Sequence, residues 1–357
     1  MPQHDIVVIG GSAGALTALK TIVELLPVPI DASIFVVLHT GAESPGGLSD
    51  VLGRGTNLPV ATARDGDPIV RGRIYVAPPD YHMLLTASGV RVTHGPRENG
   101  FRPAIDPLFR TAAHAFGPRV VGVVLSGALS DGTYGLSVIK KKGGVAIVQN
   151  PEDAIIDSMP RAAIASVEVD DVLPASAIAS AIERLTHQPA INGEKTMART
   201  GDLEPQLPSE ETSVAEMKAH FGEPVPLTCP DCGGTLWEID EERVMRYQCH
   251  VGHQFAPDVL ENAQRDAVDS ALWSAVRALE EQAELRGRLA RRATDRGLSA
   301  VSQGFEDGAR DAHAQAQQIR SVLFASGARN RRPRRAAAAA VSRRPARRKI
   351  SRTKAMK

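Results

Sequence analysis

The chain has 357 residues with 43% apolar but only 4% aromatic side chains, so it is long enough to bury a sizeable core and must build it from Val, Ile, Leu and Ala. No stretch approaches the roughly 20 apolar residues of a membrane span. The start, MPQHDIVVIGG, lacks the basic residues and long apolar run of a signal peptide, so a cytoplasmic protein without membrane insertion is expected. The net charge of +1 hides an asymmetry: 13 of the 42 Lys and Arg lie from Arg329 to Lys357 with no acidic residue, leaving 29 against 41 Asp and Glu, a net of −12, elsewhere.

Along the first half, strand and helix signals alternate. IVVIG (6–10) is a buried-strand run, ALTALKTIVELLP (15–27) has helical periodicity, and SIFVVLH (33–39) is a second strand. RIYVAP (73–78) and VVGVVLSG (120–127) follow, the latter leading into a helix over 133–142. GGVAIVQN (143–150) is another strand, entered through glycines suited to cap the preceding helix. This alternation predicts an α/β fold, a mainly parallel sheet with helices on both faces, followed by a small zinc ribbon and an α-helical hairpin. The divisions expected are a catalytic domain over 1–190, a polar linker over 191–224, a Cys/His ribbon over 225–256, a helical segment over 257–326 broken near Gly297, and a disordered basic tail over 327–357.

In an open parallel sheet, reactive groups gather beyond the carboxyl ends of the strands. Ser12 follows the first strand and opens a helix, where the Ala13 N–H can serve as an oxyanion donor. His39 closes the second strand and Asp131 follows the strand at 120–127. A serine hydroxyl needs a base to take its proton, and the imidazole needs a carboxylate to orient it, so these three suit nucleophilic catalysis. The alternatives are a helix cap or phosphate-binding role for Ser12, structural roles for His39 and Asp131, bases at His82, His94 or His114, and a nucleophile at Ser126 or Ser130.

Gly10 to Gly14 spells G-x-S-x-G, but the α/β-hydrolase fold orders its triad Ser, Asp, His, whereas here His39 precedes Asp131. A dinucleotide site is disfavoured too, because Ser12 replaces the second glycine of G-x-G-x-x-G and His39 stands where an acidic residue would hold a ribose.

Six segments in order, VVIGGSAGALTAL, FVVLH, YVAPPDYHMLL, FRPAIDPLFRTAA, VVLSGALSDGTYGL and QNPEDAIIDSMPRAAI, resemble the CheB-type catalytic domain of bacterial chemotaxis methylesterases over about residues 5–187. The resemblance implies a parallel α/β sheet with a Ser-His-Asp triad, placed by motif on Ser12, His39 and Asp131. It implies hydrolysis of glutamyl methyl esters on chemoreceptors, with glutamine deamidation in some members. Ala13 and Ala128 depart from the family's usual Thr and Met, which bears on substrate fit. The family's usual receiver domain does not precede the first strand, so phosphorylation-gated control in cis is expected to be absent.

All three cysteines lie within 229–249, a pattern for metal rather than disulfides. CPDC (229–232) and CHVGH (249–253) flank a hairpin turning near Asp240, which places Cys229, Cys232, Cys249 and His253 around one structural Zn²⁺; His250 is the competing fourth ligand. The basic tail is read as a solubilising extension, a sequence-independent contact with nucleic acid or another polyanion, or a segment folding back on the acidic body. Over thirty polar linker residues suggest a tethered ribbon, so residues 1–190 are expected to fold and act alone on a small ester. Two other functions are weighed: a catalytically weak signalling scaffold using the ribbon and helices, and a nucleotide-binding domain.

Overall fold

A computed structural model describes residues 2–44, 46–190, 214–241 and 244–330. The first strand, β1 (Ile6–Gly11), is buried along its whole length and runs through a tight turn into α1 (Ala15–Leu25). Then come β2 (Ser33–Leu38), α2 (Leu48–Gly53), β3 (Val60–Thr62) and β4 (Arg73–Val76). A two-stranded antiparallel hairpin, β5 (His82–Thr86) and β6 (Gly89–Thr93), precedes α3 (Ile105–Phe116). The half closes with β7 (Val120–Val124), α4 (Thr133–Lys141), β8 (Val145–Gln149), α5 (Ser158–Ser166), β9 (Asp171–Leu173) and α6 (Ala175–Thr186).

Seven strands form one sheet in the order β3-β4-β2-β1-β7-β8-β9, with every pairing parallel. The strand period of two divides its apolar residues between two cores. Val7 and Ile9 face a cluster with Ile34, Val36, Leu19 and Ile178, under α1 and α6. Ile6 and Val8 face the other, with Phe35, Val37, Phe109 and Leu136, under α3 and α4. Gly10 is where α3 meets the sheet: a Cβ there would lie 2.2 Å from the Ile105 side chain. At the end of α4, Gly143 has φ +83°, the left-handed residue that the paired glycines foreshadow.

After the stretch outside the described residues come α7 (Val214–Phe221), β10 (Val225–Thr228), β11 (Thr235–Glu241), β12 (Val244–Cys249) and β13 (Gln254–Phe255). The four strands make an antiparallel sheet in chain order. Its small core joins Cys229, Leu236, Cys249 and Phe255 with Val259 and Leu260, and Leu129, from the loop after β7, packs against it. The described residues up to Gln264 form one compact unit, in which the ribbon sits on the α/β layers. The part of the expected linker that is described, 214–224, carries a helix, with Met217 1% exposed.

From α8 (Pro257–Asp295) the chain turns at Gly297, φ +74°, into α9 (Ser299–Asn330). Within the second compact unit, which begins at Arg265, Arg320 pairs with Glu280 at 2.7 Å and Trp273 meets Phe324 edge-on. Residues 327–330 of the expected disordered tail continue α9, and the rest, 331–357, lies outside the described residues. Among the described residues no helix is long and apolar enough to cross a membrane.

Candidate active site

Three adjacent strands, β2, β1 and β7, end level with one another. Gly11 of β1 pairs with Leu38 of β2, and Gly10 with Val124 of β7. The ladder continues past the strands: His39 N–H donates to Gly11 O, and Ser12 N–H to Ser126 O. Side chains that leave these ends therefore converge, and Ser12, His39 and Asp131 are among them. This is the topological switch point of the sheet, since the chain leaves β1 to one side for β2 and returns to its other side with β7.

His39 Nε2 lies 2.7 Å from Asp131 Oδ2, and Nδ1 lies 3.1 Å from Ser12 Oγ. Nε2–H donates to the carboxylate, which leaves Nδ1 to accept from the serine hydroxyl. The two ring nitrogens thus exchange the roles they have in the chymotrypsin arrangement. Phe101 stacks on the imidazole, with centroids 3.8 Å apart and planes 14° apart, and fixes its plane.

Asp131 is 1% exposed and receives five donors. Oδ2 accepts from His39 and from Ile105 N–H at 2.7 Å, the first amide of α3. Oδ1 accepts from Asn99 Nδ2 at 2.8 Å, Gly132 N–H at 3.0 Å and Asp106 N–H at 3.3 Å. Burial pushes this carboxyl upward, but the bonds from His39, Ile105 and Asn99 outweigh it and hold it below the ordinary carboxylate range. Neighbouring Asp106 goes the other way. Burial first, and then the charge of Asp131, push it well above that range. Two adjacent acids are thereby driven apart, and Asp131 is the one that stays ionised.

Ser12 and Ala13 line an open groove of about 410 Å³ with His39, Thr40, Phe101 and Arg102. Ala13 is exposed in the turn that joins β1 to α1, beside Ser12 on the groove. The alternatives are occupied elsewhere. Ser126 is fully buried and its hydroxyl is bonded to Ala13 O and Ile156 N–H. Ser130 meets Asp258. His82 is buried against Pro96 O and Ala104 N–H, His94 pairs with Asp80, and His114 bonds Arg110 O.

In the ribbon, the sulfurs of Cys229, Cys232 and Cys249 and a nitrogen of His253 all lie within 4.8 Å of one another, while His250 is outside the cluster. Cys232 Sγ is 3.7 Å from Cys249 Sγ, which is 3.5 Å from His253 Nδ1. A tetrahedron with metal–sulfur bonds of about 2.3 Å has edges of about 3.8 Å, so the spacing fits four ligands on one ion. Asp231 lies 3.9 Å from the far nitrogen of His253, an ion-pair distance beyond hydrogen-bond reach.

Asn99 and Phe101 were not marked by sequence reasoning. Asn99 precedes Gly100 and reads locally as a turn residue, and no local pattern announces a partner 32 positions away.

A family model described as CheB methylesterase matches residues 7–182. A Leptospira interrogans protein, provisionally named protein-glutamate methylesterase/protein-glutamine glutaminase, is 42% identical over 184 residues, covering 51% of this chain and 95% of its own length. Proteins bearing that name from Anaeromyxobacter dehalogenans and Pyrococcus abyssi are 38% and 37% identical, and the chain spans only about half of their lengths, 53% and 51%. The crystal structure of the Thermotoga maritima CheB methylesterase catalytic domain superposes with a TM-score of 0.50 at 32% identity, covering 51% of this chain and 98% of that one. Sequence and fold agree over the same span, and the chain belongs to the CheB methylesterase family.

Proposed function

We propose that Ser12, His39 and Asp131 hydrolyse glutamyl methyl esters on a protein, most naturally methylated chemoreceptors, and that the same site deamidates glutamine side chains. The observation that carries this reading is the continuous series Ser12 Oγ–His39 Nδ1 and His39 Nε2–Asp131 Oδ2, at 3.1 and 2.7 Å, opening on one groove. The names of the relatives, protein-glutamate methylesterase/protein-glutamine glutaminase, support this substrate class.

Ser12 Oγ attacks the ester carbonyl as Nδ1 of His39 takes its proton, and the oxyanion settles on the Ala13 N–H. The imidazolium, stabilised by ionised Asp131, passes that proton to the departing methoxide, so methanol leaves and an acyl-serine remains. Water attacks the acyl group by the same proton path and releases the glutamate carboxylate and free Ser12. With a glutamine side chain the leaving group is ammonia. Cys229, Cys232, Cys249 and His253 would hold one structural Zn²⁺, which would order the ribbon and take no part in the hydrolysis.

The test is methanol release from a methylated receptor by the full chain and by its Ser12→Ala variant. Release by the wild type alone supports the reading, and equal rates refute it.

A further inference from the structure

The ribbon touches the α/β layers at the loop that supports the triad. Asn99 is 3% exposed and has φ +53°, a backbone conformation that asparagine tolerates better than most residues but that still needs support. Its support comes from the ribbon. Asn99 N–H donates to Gln254 O at 2.7 Å, and Asn99 Oδ1 accepts from Ala256 N–H at 2.8 Å. The amide nitrogen, Nδ2, then donates to Asp131 at 2.8 Å and to Asp106 at 3.0 Å. Each hydrogen-bonding group of this side chain is used, and its two ends face different parts of the protein.

Among the five donors to Asp131, three are backbone amides from the start of α3 and the turn before α4, and His39 is the base itself. Asn99 alone among them is fastened from outside the α/β layers. The same loop carries Phe101, which stacks on His39, and Glu98, which is 1% exposed and holds Arg110 at 2.7 and 2.9 Å. On the ribbon side, Gln254 directly follows His253, and the knuckle closes through Cys249 N–H to His253 O. Three links, one peptide bond and two hydrogen bonds, therefore join the Cys/His cluster to the triad carboxylate through His253, Gln254, Asn99 and Asp131.

We infer that Asn99 is a positioning residue for Asp131 and that the ribbon, through Gln254 and Ala256, holds it in place, which makes the ribbon a supporting part of the active site. The inference rests on the reading of Ser12, His39 and Asp131 as the hydrolytic triad. It reverses the expectation that residues 1–190 would act unaided.

The experiment uses the full-length chain and two variants, Asn99→Ala and Ala256→Pro. The second removes one ribbon N–H and touches no triad residue. Turnover of a small methyl ester is measured together with amide hydrogen exchange at Ile105 and Asp106, whose N–H groups bind Asp131. Loss of one hydrogen bond should lower kcat about tenfold with KM unchanged, and should speed exchange at both amides by a similar factor. Should Asn99→Ala fail to fold, Ala256→Pro decides. A folded Ala256→Pro with wild-type kcat and wild-type exchange overturns the inference. So does a lower melting temperature with kcat intact, since Asn99 would then act on stability alone. A wild-type chain without esterase activity refutes the hydrolase reading instead, and the exchange comparison still decides whether the ribbon holds Asp131.

Discussion

The Ser126 hydroxyl donates to the Ala13 carbonyl across 2.8 Å, fastening the loop after β7 to the turn that carries the nucleophile. The same oxygen accepts from Ile156 N–H at 2.9 Å, so three segments distant in sequence meet at one fully buried atom. Ser126→Ala should leave both backbone groups without this partner. The expected loss is about 1–3 kcal/mol of stability, read from urea unfolding. A variant as stable as the wild type would show that solvent replaces the hydroxyl.

Ser12→Ala and His39→Ala should each lower ester turnover by at least about a thousandfold, because members of such a series act as a unit. Ser12→Ala should leave the far-UV spectrum and the cooperativity of unfolding unchanged, since Ser12 sits in a partly exposed turn. Residual turnover near the wild-type rate in either variant would place the chemistry elsewhere.

Asp5 supplies a pH dependence. Its side chain is 4% exposed and accepts from Arg119 at 2.7 and 2.8 Å and from Arg71 at 2.6 Å. Burial pushes its carboxyl upward, but Arg119 and Arg71 outweigh that and hold it below the usual range. A depressed acid contributes stability that is present above its unfolded pKa of about 4 and is lost as pH falls through the folded value. Asp5→Asn should cost about 2 kcal/mol at neutral pH and make the decline below pH 4 shallower. Urea unfolding between pH 3 and 7 measures both, and parallel curves would exclude Asp5 as a source of the acid sensitivity.

One zinc ion per chain is expected in protein purified without chelator, by elemental analysis, and Cys249→Ala should lack it. Metal removal should lower the melting temperature, because the ribbon core consists of six buried side chains, two of them the cysteines Cys229 and Cys249. A zinc-free wild-type protein would remove the metal from the account.

The central strands were legible because a parallel sheet covered on both faces demands continuous apolar runs, and IVVIG, SIFVVL and VVGVV supply them. The edge strands β3 and β9 were not, since three-residue segments with mixed burial, VAT and DVL, carry no pattern. The β5–β6 hairpin escaped for a related reason. His82, Met83, Leu84 and Leu85 are all buried, so the alternation that marks an antiparallel strand is missing. Ser12, His39 and Asp131 could be marked because strand-end position is a property of the chain near each residue. Asn99 could not, because its role comes from Asp131 and Ala256, 32 and 157 residues away. The polar composition of 191–224 suggested a spacer and concealed α7, which buries Met217.

The assignment of His39 Nδ1 to the serine and Nε2 to the carboxylate has a chemical signature. An electrophile that arrives along the substrate's path meets the ring nitrogen nearest its own backbone. A haloketone analogue of the glutamyl ester, once captured by Ser12, should therefore alkylate Nδ1, where a chymotrypsin-type triad would be marked on Nε2. The two N-alkylhistidines are isomers of equal mass that separate after hydrolysis, so the ring's orientation is recorded in a stable covalent product.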